Sequence, residues 1–166
     1  TDLFASERLR LRLDGFVYHP RFLQFQIKGA GGLSQERSEN TFGGSFSENG
    51  FGEEYDFRTK ILPQHPYNLE LYTLRATPLL RGQSSADARP TQTDQGVIFN
   101  YAKNPFFFNL GYNTGATEAR VSSTAFRIAR VDGGYITGPF TNNAGYSRTN
   151  SSTSLGTHVA NDYSYF

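Results

Sequence analysis

The chain has 166 residues, a formal net charge of +1, 37% hydrophobic residues and neither Cys nor Met. That length suits one domain, and the missing thiols exclude disulfides, thiolate metal sites and a cysteine nucleophile. The near-neutral charge gives no global pull toward nucleic acid, and no apolar run reaches the ~18 residues of a transmembrane helix.

The first predicted elements lie in "LRLRLDGFVYHPRFLQFQIK", residues 9–28. Leu9, Leu11, Leu13 and Val17 alternate with Arg8, Arg10, Arg12 and Asp14. After His19-Pro20, Leu23, Phe25 and Ile27 alternate with Gln24, Gln26 and Lys28. Period two means opposite faces of a strand, so two strands joined by a tight turn are expected. Residues 51–62 set Tyr55, Phe57 and Ile61 against Glu54, Asp56, Arg58 and Lys60, and residues 67–77 set Leu69 and Leu71 against Asn68, Glu70 and Tyr72. Residues 95–103 follow the pattern except at Ile98, and residues 106–116 alternate Phe106, Phe108, Leu110 and Tyr112 with Asn109, Gly111 and Asn113. Weaker strands are expected at 139–149 and 155–166, which makes eight, and helical spacing is not sustained anywhere.

The connections between these eight are expected to alternate. Short turns fall at His19-Pro20, 63–66, Asn104-Pro105 and 151–154, and long polar loops at 35–50, 80–94 and 117–138. Tight turns at one end and long loops at the other form the plan of an outer-membrane barrel. Strands of about 11–13 residues exceed the ~5–6 of soluble sheets and reach the ~9–11 that a bilayer needs. The fold class expected is therefore all-β, an antiparallel up-and-down transmembrane β-barrel in a single domain, preferred over a soluble sandwich.

In that barrel the lipid-facing residues are Leu9, Leu11, Leu13, Leu23, Phe25, Ile27, Tyr55, Phe57, Phe106, Phe108 and Leu110. The lumen-facing residues are Arg8, Arg10, Arg12, Asp14, Gln24, Gln26, Lys28, Glu54, Asp56, Arg58, Lys60 and Glu70. Burying such charges is costly unless they pair or meet water, and their signs nearly balance. Phe16, Tyr18, Phe22, Tyr67 and Phe106 lie near the turns, where an interfacial aromatic girdle belongs.

The stretches "LDGFVYHPRFLQFQIKGAGGLSQER" (13–37) and "YDFRTKILPQHPYNLELYTLRAT" (55–77) resemble porin-like outer-membrane β-barrel proteins of Gram-negative bacteria. The motifs are G-x-x-Y-H-P-x-F-L-x-F, G-L-S-Q-E-R and L-P-x-x-P-Y-x-L-x-L-Y, and the likeness spans about residues 8–115. It implies an outer-membrane location and carries no residue-level role. Members are generally longer, which implies that these residues form the N-terminal part of a larger barrel. Tyr163 and Tyr165 hold the parity opposite to Phe166, so no clean closing strand is expected, and residues 155–166 are not expected to pair with 8–18.

Catalytic and metal readings are weaker. His19 and His65 precede Pro in short turns, which reads as turn chemistry before a metal pair. His158 and Asp162 share parity, yet no G-x-S-x-G elbow exists for a hydrolase. Gly29–Gly32 and Gly43-Gly44 lie between no strand and helix, so a phosphate loop is not expected. The reading assigns no enzymatic activity, no cofactor and no metal. It gives a passive channel, or the pore-forming part of an envelope assembly, with outer-membrane lipid and other envelope subunits as partners and no nucleic acid. The alternatives are a non-pore scaffold or adhesin-like barrel that binds partners through long loops, and a soluble all-β binding module.

Overall fold

The computed structural model describes residues 2–39, 45–77, 90–119, 122–154 and 156–165. They form one antiparallel sheet of nine strands in sequential order: β1 (Asp2–Val17), β2 (Leu23–Glu39), β3 (Ser45–Ile61), β4 (Tyr67–Ala76), β5 (Thr91–Lys103), β6 (Phe106–Ala119), β7 (Ser122–Thr137), β8 (Phe140–Thr153) and β9 (Gly156–Tyr165). The sheet is an up-and-down meander and it is not closed: β1 pairs with β2, and β9 with β8.

The expected count of eight is corrected to nine. The stretch 117–138, expected as a loop, contains β7, paired along its length with β6 and β8. The expected loop at 35–50 shrinks as well, because β2 runs to Glu39 and β3 starts at Ser45. β5 starts at Thr91, inside the expected 80–94 loop, and β8 runs to Thr153, into the turn expected at 151–154. Alternating short and long connections therefore do not describe this sheet. Polar and apolar residues mixed on each face hide these stretches from a period-two reading, and pairing with a neighbouring strand extends them all the same. Most of the 80–94 stretch, Gly43, Gly44, Leu155 and Phe166 lie outside the described residues. The expected lack of pairing between the last strand and 8–18 agrees with the open sheet.

Two turns at one end share a design. Tyr18 (φ 65°) and Leu62 (φ 55°) follow β1 and β3 in the left-handed region, where the reversal must be bought with strain in a non-glycine residue. Leu62 N–H donates to the Phe22 carbonyl at 2.7 Å, tying the two turns together.

Register fixes the tilt. One row of paired residues runs Val17, Leu23, Ile61, Leu69, Phe99, Leu110, Val131, Tyr146 and Tyr163, one from each strand. It begins at the turn end of β1 and lies six residues above the turn end of β8. Rising that far at ~3.3 Å per residue across seven spacings of ~4.8 Å gives a tilt of about 30°.

Candidate functional site

The register sorts every strand residue onto one of two faces, since paired residues in an antiparallel ladder point the same way. Arg8, Arg10, Arg12, Asp14, Gln24, Gln26, Lys28, Glu54, Asp56, Arg58, Lys60 and Glu70 share one face. Leu9, Leu11, Leu13, Leu23, Phe25, Ile27, Tyr55, Phe57, Phe106, Phe108 and Leu110 share the other.

On the polar face the charges of β1–β4 lie against one another. Asp56, 7% exposed, accepts from Lys28 Nζ at 3.3 Å and Arg58 Nε at 3.0 Å. Lys28 is its cross-strand partner and Arg58 sits two residues along its own strand, so the pleat itself brings both cations in. Lys60 and its cross-strand partner Glu70 approach to 3.3 Å. Asp14 accepts from Arg12 Nε and from Gln26 Nε2, each at 2.6 Å. Arg8 reaches Glu54 across the whole width of β2. That bridge needs low residues beneath it, and β2 presents Ala30 and Gly32 on this face. Arg10 meets no carboxylate among the described residues.

From β4 to β9 the same face carries few charges and mixes polar residues with Leu74, Ile98, Phe107, Phe126 and Ile128. Asn68, Asn100 and Asn109 occupy one paired row and form an amide ladder, Asn100 donating to Asn68 at 3.0 Å and Asn109 to Asn100. The row continues through Asp132, which accepts from Arg130. Aromatic rings on this face lie over glycines directly opposite: Tyr72 over Gly96, Phe126 over Gly115 and Phe107 over Gly134. A hollow of about 750 Å³ is lined from Tyr72 on β4 through Asn109, Arg130 and Asp132 to Ser164 on β9. Six consecutive strands border it, so the polar face is the concave one.

The other face is apolar and open. No hydrophobic side chain is buried among the described residues. Leu9 and Leu11 are each 67% exposed, and all the exposed large apolar side chains lie on this face except Phe16, Tyr18, Phe22 and Ile136. On β1 they run from Leu9 to Val17, a span of about 26 Å along the strand. On β2 and β3 the face stays apolar as far as Leu33 and Phe51, although Glu53 within that stretch pairs with Arg75 at 3.4 Å, and on β5–β7 Gln95, Thr114 and Arg127 turn it polar away from the turns. At the turn end aromatic rings gather: Tyr18 on Phe22 edge-on at 6.5 Å, His65 on Tyr67 at 5.6 Å, and Phe106 on Tyr135 at 5.0 Å.

The histidines have local roles. His19 Nδ1 accepts from the Arg21 N–H at 3.0 Å, closing its turn. His158 shares the polar face with Asp162, but the contact to Asp162 comes from Ser147 Oγ at 3.5 Å. No three His, Asp or Glu side chains stand together as a metal site among the described residues.

Sequence reasoning separated the two faces of β1–β6, with Ile98 on β5 the exception it noted. It missed the asparagine ladder and the aromatic–glycine pairs, because each depends on which residue lies opposite, and it missed β7, whose two faces each mix polar and apolar residues.

No family model, curated protein or solved structure matches this chain.

Proposed function

We propose that this sheet is wall of a bacterial outer-membrane β-barrel, with the apolar face in lipid and the concave polar face lining a watered lumen that passes small solutes. The observation that carries the reading is the unbroken apolar row from Val17 to Tyr163 on a face that nothing covers. In water that face would far exceed the roughly 300–600 Å² of the largest apolar patch on an ordinary monomer. Lipid removes the penalty, and the row crosses strands whose stagger suits a barrel. The polar face fits the inside: its carboxylates are held by neighbouring cations, as charges withdrawn from bulk water require.

Reconstitution tests this. The protein is expected to need detergent or lipid to stay monodisperse and to give ohmic single-channel steps in planar bilayers. Monodispersity in plain buffer overturns the membrane reading. A detergent-dependent protein without conductance leaves the wall and removes the channel.

A further inference from the structure

The hollow on the concave face has a bare floor that the fold does not explain. It follows β6 from Phe107 to Asn113, a length of about 20 Å at ~3.3 Å per residue. Gly111 lies at its middle, between Ile98 on β5 and Arg130 on β7. A glycine inside a strand weakens it. At Gly96 and Gly134 an aromatic ring fills the space, but a Cβ at Gly111 would meet nothing nearer than the Arg130 Cβ, at 3.9 Å. Its φ is not positive either, so neither backbone nor packing requires a glycine there. Such a bare position marks where a ligand comes close to the backbone.

The lining selects the ligand. Its only charges, among the described residues, are Arg130 and Asp132, and they hold each other through Arg130 Nε and, at 3.3 Å, Nη2. Glu70 and Arg58, cross-strand from Ile98 and Tyr72, are bound to Lys60 and Asp56. An ionic solute therefore finds no free counter-charge. A hydrocarbon would cover the amides of Asn109 and Asn113, whose one hydrogen bond among the described residues runs from Asn109 to Asn100, and stranded amides are costly. Hydroxyl groups suit them, since both carry donor and acceptor together. Tyr72 and Phe107, laid across Gly96 and Gly134, line the two ends of the hollow, and the electron-rich faces of such rings attract C–H groups. A ring with a hydroxyl rim and a C–H face meets every one of these demands.

We propose that the hollow binds a neutral saccharide, a sugar ring seated over Gly111 with its hydroxyls on Asn109, Asn113 and Arg130. As the identity of the solute, this rests on the channel reading. The test is isothermal titration of the protein, in a detergent without a sugar headgroup, with glucose, galactose, sucrose and cellobiose, and with inorganic phosphate as the ionic alternative. At least one sugar is expected to bind, without competition from phosphate. Gly111→Val is expected to weaken that binding at least tenfold while its urea midpoint holds, because a β-branched residue suits a strand and displaces nothing. Gly31→Ala, on the opposite face, is expected to leave binding unchanged. Should Gly111→Val fail to fold, Asn113→Leu carries the same test, since no hydrogen bond among the described residues is lost with it. No binding by any of the four sugars overturns the proposal, as does full binding by the folded variant or displacement by phosphate. Single-channel recording on the same preparation separates the two readings. Conductance without sugar binding removes this inference alone, and sugar binding without conductance keeps the site and removes the channel.

Discussion

The ring of Tyr72 on β4 lies against the backbone of Gly96, its paired residue on β5. A Cβ at position 96 would stand 2.7 Å from the ring Cε1, closer than real carbon contacts allow. Any side chain at 96 must push Tyr72 off the strand, and overpacking of this kind costs about 1–3 kcal/mol. Gly96→Val is therefore expected to destabilise the protein by that amount in urea unfolding from lipid. Gly31→Ala, where an added Cβ meets nothing within 4 Å, is expected to stay within about 0.5 kcal/mol of the parent.

Asn100 is the middle rung of the amide ladder, accepting from Asn109 and donating to Asn68. Asn100→Leu removes both bonds and strands two part-buried amides, at a cost of about 1–3 kcal/mol. Asn68→Leu breaks one bond at the end of the ladder and is expected to cost less in the same unfolding series.

The bridge from Arg8 to Glu54 passes over Ala30. Both partners are more than two-fifths exposed on their side chains, so a double-mutant cycle between Arg8→Ala and Glu54→Ala is expected to give a coupling of only about 0.2–1 kcal/mol, falling with added salt. Ala30→Leu is expected to abolish that coupling by filling the space beneath the bridge.

Arginine separates the two faces. Leu110→Arg lies in the apolar row and is expected to cost about 2–4 kcal/mol if that row is near the bilayer midplane. Arg10→Ala, on the polar face, is expected to leave folding within about 0.5 kcal/mol and to shift ionic selectivity toward cations. Equal costs at the two positions in a lipid-folding titration would show that the faces are misassigned.

How much of this was legible from sequence follows from which contacts are local. The facing of Leu9, Leu11 and Leu13 against Arg8, Arg10 and Arg12 is written in consecutive residues, and so is the tight turn at His19-Pro20. β7 defeats the same reading because Phe126 and Ile128 lie on the polar face and Arg127 on the apolar one, so no clean alternation survives. The outer ends of β2 and β3 are mostly polar, and cross-strand pairing, of β2 with β1 and β3 and of β3 with β2, makes them strands. The bridge over Ala30 and the rings over Gly96 and Gly115 need the cross-strand register, which no single strand carries.

The central claim is that the two faces of this sheet meet different solvents. Because the chain has no native cysteine, a single-cysteine scan along β6 reads this directly in lipid vesicles. Cysteines at Phe108, Leu110 and Tyr112 are expected to be quenched by lipid-borne probes and to resist a water-soluble thiol reagent. Those at Phe107, Asn109 and Gly111 are expected to show the reverse. Uniform reaction with the aqueous reagent at all six positions, or the opposite alternation, would contradict the account.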